Sequence, residues 1–334
     1  MKHNLTYICL LLLLTACTQK PVETLAQSTY SSPIALSSDN LLVWSVNPDS
    51  DSVSVVRTDT LEMITQIAVG DEPRSVALSA DNKFAYVANA ADNSVTVIKI
   101  ANAPPAGFSA LSNQVITTGS EPNAVIYSPD GRRVFVSNAN QNTITVIDAN
   151  DHSIVGAIDL KNSLCNVVDT NRHFHPQAMA VTQDSKHLYV TRFFSFTHAT
   201  GVQKDDHGKE GIVCRLDINT RSSDIAHYKP VRAIHLNATD SGMKDAKGNK
   251  TAAFPNQLQN IVIRNGHAYL PNIGASPTGP QRFNVNTQAY VNRIDGIGGA
   301  EVDGHNINLH HGGQQPESGK PELYFANPWG IAFT

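Results

Sequence analysis

The chain has 334 residues, of which 41% are hydrophobic and only 16% charged, with a net charge of −4. That length suits one large all-β domain or two of about 150 residues. The hydrophobic share is too small for a polytopic membrane protein, and no Lys/Arg cluster offers the basic stripe that a nucleic-acid partner requires. Low charge with many Val, Ile, Thr, Ser and Asn residues favours an extracytoplasmic all-β protein. Gly 21 and Pro 17 are close to average usage, so the chain is not of low complexity.

The N-terminus reads as an address. Lys2 precedes a short apolar run, Leu5 to Leu14, that ends in five consecutive leucines. About ten apolar residues are too few to span a bilayer and suit a signal peptide. The run closes on Leu14-Thr15-Ala16-Cys17, which resembles the lipobox of bacterial lipoproteins. That resemblance implies a signal peptide over 1–16, lipidation at Cys17 and a lipidated tether over 17–32. Thr18 after the cysteine then points to the outer membrane of the cell envelope. The alternative is an ordinary secretory signal with an incidental Cys17. Membrane contact is expected through the lipid alone.

Cys9 leaves with the signal, so Cys165 and Cys214 remain. In an oxidising compartment they pair as a disulfide or stay as two buried thiols. No Cys-x-x-Cys-His is present, so the chain has no c-type haem attachment site.

From residue 33 the sequence repeats. Segments beginning at Pro33, Pro73, Pro122, Pro176 and Pro255 each give a short strand, an Asp-Asn, Asp-Gly, Asp-Ser or Asn-Gly turn, and a second strand. Alternating runs follow at Ser52–Val56, Ser94–Ile98, Thr143–Ile147, Ile212–Leu216 and Ala289–Ile294. A fourth apolar run often comes next, as in Ile64–Val69 and Ile154–Ile158. Turn residues that tolerate positive φ suit tight hairpins, and alternation suits half-buried strands. Four strands repeated about every 40 residues predict an all-β fold, a β-propeller of four-stranded blades.

Ala85-Tyr86-Val87-Ala88-Asn89 with Asn93-Ser94-Val95-Thr96-Val97-Ile98, and Val134-Phe135-Val136-Ser137-Asn138 with Asn142 to Asp148, resemble the YVTN family of propeller repeats. This resemblance covers about 30–334 and speaks for the fold more than for a function. The ending Asn327-Pro328-Trp329-Gly330-Ile331-Ala332-Phe333-Thr334 matches the first strand of a repeat, and no hairpin follows it. The expectation is therefore five blades plus the start of a sixth. The propeller over 33–334 is read as C-terminally truncated, an incomplete seven-bladed ring.

Later repeats carry insertions at 161–175, 193–210, 236–254, 271–287 and 297–326. Alternating strand direction puts the loop before strand one and the loop between strands two and three on one face, so one face is predicted to be elaborated. Function commonly lives on such loops. Seven of 13 histidines fall there: His173, His175, His198, His207, His305, His310 and His311. His173 and His175 are candidate metal ligands, since imidazole suits Zn or Cu; the alternative is solvated loop histidines. Asp240 to Asn249 lacks the alternating acidic ligands of a calcium loop.

Residues just after the repeat prolines are expected at the channel mouth on that face: Arg74, Asn123, Gln177, Asn256, Gln257 and Trp329. Arg192 stands where sister repeats have Asn89, Asn138 and Asn272. These are candidate contacts for a small anionic or polar ligand; the alternative is ordinary solvated channel groups. No Gly-x-Ser-x-Gly elbow, phosphate loop or HExxH occurs.

Phe193 to Thr197, Gly201 to Asp206, Gly208 to Asp217 and Tyr269 to Pro280 resemble longer bacterial proteins that join such a propeller to a c-type cytochrome segment. No haem-binding residue carries over to this chain, so no cofactor is expected in it. Haem c belongs only to a missing C-terminal segment. Three functions stay open: a binding and recognition module of a periplasmic electron-transfer protein, which partners a protein or small polar ligand; a lactonase-like hydrolase; or a surface adhesion module. The first is the favoured expectation, with enzyme activity in this chain the weaker one.

Overall fold

The computed structural model describes residues 30–102, 108–166, 173–279, 286–309 and parts of 318–333. Cys17, the signal peptide, most of the tether, His310 and His311 lie outside the described residues. Among the described residues no helix is long and apolar enough to cross a membrane.

Five antiparallel sheets follow one another along the chain. The first holds β1 (Ile34–Leu36), β2 (Leu42–Asn47), β3 (Ser52–Arg57) and β4 (Met63–Ala68). The second holds β5 (Pro73–Leu78), β6 (Phe84–Asn89), β7 (Ser94–Asn102) and β8 (Ser109–Thr117). The third holds β9 (Pro122–Tyr127), β10 (Arg133–Asn138), β11 (Thr143–Asp148) and β12 (Ile154–Asp159). Each pairs strictly in sequence order, as propeller blades do.

The fourth blade is β13 (Pro176–Val181), β14 (His187–Arg192), β16 (Lys209–Asp217) and β17 (Lys229–Leu236), with the short β15 (Phe196–Thr197) added against β16. The fifth is β20 (Val262–Arg264), β21 (His267–Ala275), β22 (Thr287–Asp295) and β23 (Val302–Asp303), with β24 (Ile307–Asn308) also on β22. A hairpin of β18 (Thr239–Lys244) and β19 (Lys250–Asn256) joins that sheet by pairing Phe254–Asn256 with Ile273–Ala275.

Local chemistry explains the repeat. In four blades a Ser or Thr hydroxyl (Ser37, Ser79, Ser128, Thr182) donates to the Asp two residues on, at 2.5–2.7 Å. The next residue, Asn40, Asn82, Gly131 or Ser185, takes positive φ. Blade five uses Asn265-Gly266, both at positive φ, the two-residue turn that matches strand twist.

The asparagine that ends the second strand also has a fixed task. Nδ2 of Asn47, Asn89 and Asn138 donates to two hydroxyls of the third strand: Ser52 and Ser54, Ser94 and Thr96, Thr143 and Thr145. Gly70 and Gly119 lie so close that a Cβ there would come within 2.6 and 2.8 Å of the amide nitrogens of Asn89 and Asn138. The core fills the spaces between sheets, with Trp44, Tyr86, Phe135, Phe174 and Tyr189 among its largest fully buried side chains.

Three expectations change. Pro255 does not open the fifth blade; it lies within β19, and the inner strand begins at Val262. The segment at 236–254 is no loop but the β18–β19 hairpin. Residues 296–301 form the turn between β22 and β23, on the face opposite the other insertions, because they link a third strand to a fourth. The 327–333 segment lies against blade five, with Phe333 on the Tyr269 ring (4.9 Å) and beneath the Arg264 guanidinium (5.5 Å).

Candidate functional site at the elaborated mouth

The residue just before the inner strand carries the site. Glu72, Glu121, His175 and Gln257 have φ of 56, 56, 53 and 51°. Glu72, Glu121 and His175 directly precede the inner strands of blades two to four and so lie on an arc about the propeller axis; Gln257, five residues before β20, extends the arc to blade five. Three of them precede proline, which disfavours helical backbone in the residue before it. Left-handed backbone at a non-glycine residue costs about 1–3 kcal/mol, and such positions persist only where the surroundings hold them.

The surroundings are a latch between blades. The backbone N–H of Glu72 donates to Asp51 Oδ1 (3.1 Å), that of Glu121 to Asn93 Oδ1 (2.9 Å), and that of His175 to Asn142 Oδ1 (2.9 Å). Asp51, Asn93 and Asn142 are themselves at positive φ in the preceding blade. The carbonyls of Glu72, Glu121 and His175 accept from Ala90, Ala139 and Phe193. The backbone of Glu72, Glu121 and His175 is thus spent on the latch, which leaves their side chains free of that task.

Those side chains differ. Glu72 pairs with Arg74. His175 is half-buried and packs on Phe193 (5.6 Å) and Phe194 (5.9 Å), which touch each other at 4.4 Å. Burial holds the His175 imidazole below the usual histidine range; the nearby His173 acts the same way, and the Glu121 carboxylate opposes them. His175 is therefore a neutral base near neutral pH. His173 is exposed, and the Asn142 amide donates to its Nδ1 (2.8 Å). Among the described residues no three His, Cys, Asp or Glu side chains come together to hold a metal.

The insertions are braced by buried polar contacts. Cys165 and Cys214 are joined with Cα atoms 5.6 Å apart, tying 161–175 to the centre of β16. Arg192 is buried; it donates to Asn166 Oδ1 (3.3 Å) and lies over the Phe196 ring (4.9 Å). It departs from asparagine because its register partners on β16 offer Ile212 and Cys214 where sister blades offer hydroxyls. Asn256 Oδ1 accepts from the backbone and hydroxyl of Ser195 (3.0 and 3.1 Å). The buried Asp206 carboxylate accepts from Ala252 N (3.0 Å), Thr278 N (2.8 Å) and Ser276 Oγ (3.2 Å), so three insertions meet on one residue. Leu258 N donates to Phe193 O, completing a chain from His175 through Phe193 to blade five.

The sequence-predicted residues divide accordingly. Asn123 donates to Gln177 O (3.2 Å), placing both between blades three and four. Arg192 and Asn256 brace the 193–197 insertion. Gln257 belongs to the arc. Arg74 is exposed beside Glu72, and Trp329 is 67% exposed on the tail. A cavity of about 1250 Å³ occupies the other end of the axis, lined by first-turn residues such as Asn40, Ser79 and Asp184, and none of the seven residues lines it. Sequence reading of the channel mouth looked two residues too late: Glu72, Glu121 and His175 precede their prolines, whereas Arg74, Asn123 and Gln177 follow them, and His175 was singled out only as a metal ligand. The signal was the dipeptide itself, Glu-Pro twice and then His-Pro.

Sheet order, blade repeat and inner-strand latches define a β-propeller. A family model described as "Lactonase, 7-bladed beta-propeller" matches residues 13–106 and 57–193, together more than half of the chain. The chain belongs to that family. Among solved structures it is similar to hydrazine synthase of Kuenenia stuttgartiensis, at 18% identity and a TM-score of 0.57, covering 82% of this chain and 66% of that one. The chain thus spans just under two thirds of that protein's length. It is also similar to a "putative 6-phosphogluconolactonase" of Bacteroides uniformis, at 13% identity and a TM-score of 0.50, covering 86% of this chain and 80% of that one. At these identities the likeness shows the fold alone. No curated protein matches the sequence.

Proposed function

We propose that the elaborated mouth hydrolyses a lactone, with His175 as general base. The observation that carries this reading is a half-buried imidazole packed on Phe193 and Phe194 and held below the usual histidine range by burial, in a member of a lactonase-type propeller family. His175 takes a proton from water as the water oxygen attacks the lactone carbonyl. Glu121 stabilises the imidazolium that forms. The proton then passes to the ring oxygen as the C–O bond breaks, leaving a hydroxy acid. General base catalysis of this kind contributes roughly 10²–10⁴-fold. The test is hydrolysis of a lactone panel by purified protein under pH-stat, with H175Q and E121Q beside it. The reading predicts turnover by the wild type and a loss of about 100-fold or more in H175Q; a wild type inert on every lactone overturns it.

We also propose, from the lipobox-like Leu14 to Cys17, that the protein sits at the cell envelope, held by lipid on Cys17. A second reading keeps the elaborated face as a binding platform in an electron-transfer protein. It is favoured by the resemblance of 193–217 and 269–280 to propeller–cytochrome proteins and by the β18–β19 hairpin raised on that face. Haem staining of the natural full-length product separates the two.

A further inference from the structure

Charge and aromatic surface at the mouth both bear on the kind of substrate it accepts. Asp51, Asp71, Glu72 and Asp92 crowd the rim of blades one and two. Asp71 N donates to Asp92 Oδ2 (2.8 Å), Glu72 N donates to Asp51 Oδ1 (3.1 Å), and the neighbouring charge of Asp51, first among several causes, raises the Asp71 carboxyl. Glu121, at the same place in blade three as Glu72 in blade two, adds a fifth carboxylate whose charge acts on His175. On the other side of the balance, Arg74 is paired to Glu72, and Arg192 is only 5% exposed, beside Phe196 and Asn166. The rim of blades one and two therefore carries four carboxylates against the one paired Arg74, and like charge disfavours an anionic ligand there.

The apolar element belongs to the 193–197 insertion of blade four. Phe194 is 49% exposed although it is a large aromatic side chain, and it is held there by packing on Phe193 and His175. The backbone beneath is fixed through Phe193 N to His175 O and Leu258 N to Phe193 O. An exposed ring fixed beside the candidate base is a surface for an apolar part of the substrate, since aromatic rings combine large contact area with few rotatable bonds.

We infer that this mouth selects an uncharged lactone bearing an aromatic or alkyl group, and rejects phosphorylated or carboxylated lactones. The inference rests on the proposed hydrolysis and names the substrate class of that same site. The group stacks on Phe194, the lactone carbonyl faces His175, and the acidic rim repels anions.

The test compares kcat/KM of the purified wild type for dihydrocoumarin and for 6-phosphogluconolactone. A preference of at least about 100-fold for the uncharged substrate is expected. F194A is expected to lose about tenfold on dihydrocoumarin, mainly through KM, and to lose less on unsubstituted γ-butyrolactone, which has no group to stack. E72Q, which releases Arg74 from its partner, is expected to improve the phosphorylated substrate about tenfold. Equal or better turnover of 6-phosphogluconolactone by the wild type overturns the inference. If no lactone is turned over, hydrolysis fails, and calorimetry still decides the selectivity. Binding of dihydroquinolin-2-one, the lactam counterpart of dihydrocoumarin, without binding of 6-phosphogluconate supports it; the reverse, or binding of neither, overturns it.

Discussion

Blades two and three differ from blade four in how they close the end of their second strand. In the first pair a buried asparagine bridges two hydroxyls of the third strand, and nothing is inserted. In blade four the same position is Arg192, the hydroxyls are replaced by Ile212 and Cys214, and Cys214 is bonded to an insertion. The bare blades are stabilised locally, within one hairpin. Blade four is stabilised at long range, by contacts that also fix the loops around His175. A propeller can therefore acquire a site without altering its core, by exchanging a local polar latch for one that reaches into an insertion.

Breaking the long-range contacts should cost most. Glu301 is buried between blades four and five; Arg215 Nη1 lies 2.8 Å and Arg232 Nη1 3.2 Å from its carboxylate, and Tyr189 Oη donates at 2.7 Å. E301A leaves two guanidinium groups without their partner and is expected to cost about 3 kcal/mol, the low end for a broken buried pair because Arg232 keeps some solvent contact. Thermal melts check this. Burial pushes the Glu301 carboxyl up, but the bonds from Arg215 and Tyr189 outweigh it and leave the value lowered. Its stabilisation is thus present above the ordinary glutamate range and lost as pH falls through the folded value. The melting temperature of the wild type should fall on acidification more than that of E301A.

Reducing Cys165–Cys214, which closes a 49-residue separation, should cost about 2–4 kcal/mol. It should also release the 161–175 insertion, seen as faster amide exchange there with blades one to three unchanged. Uniform loosening of all blades would erase the distinction between local and long-range stabilisation. Smaller again is N138A, which removes two hydrogen bonds inside one hairpin and is expected to cost about 1–3 kcal/mol. Its effect should stay within blade three and leave lactone turnover within about twofold.

The fold was legible because the repeat is written in local chemistry. The Ser-x-Asp turn, the asparagine and the paired hydroxyls recur at fixed offsets, so each blade announces itself. Blade five was misread by several residues because Pro255 imitates a repeat proline while its backbone belongs to the inserted hairpin. The site was legible only in part. Insertions and their shared face follow from strand alternation, apart from the 297–326 insertion, whose opening residues up to 301 form the β22–β23 turn on the opposite face. The arc of Glu72, Glu121, His175 and Gln257 depends on positive φ at residues that rarely adopt it; the Glu-Pro and His-Pro dipeptides mark three of the positions, but residue type does not signal the backbone that carries them. Asp206 was invisible for another reason: it joins Ala252, Ser276 and Thr278, partners distant in sequence.

The account stands most directly on His175. The measurement is kcat/KM for dihydrocoumarin against pH, for the wild type and H175Q. Because burial favours the neutral imidazole, wild-type activity should hold through neutral pH and fall only as acid protonates the ring, below the ordinary histidine range. H175Q should lose about 100-fold or more and show no such limb, while its melt matches the wild type. An H175Q protein that turns over dihydrocoumarin as fast as the wild type, with the same acid limb, would contradict the assignment of this mouth as the site of hydrolysis.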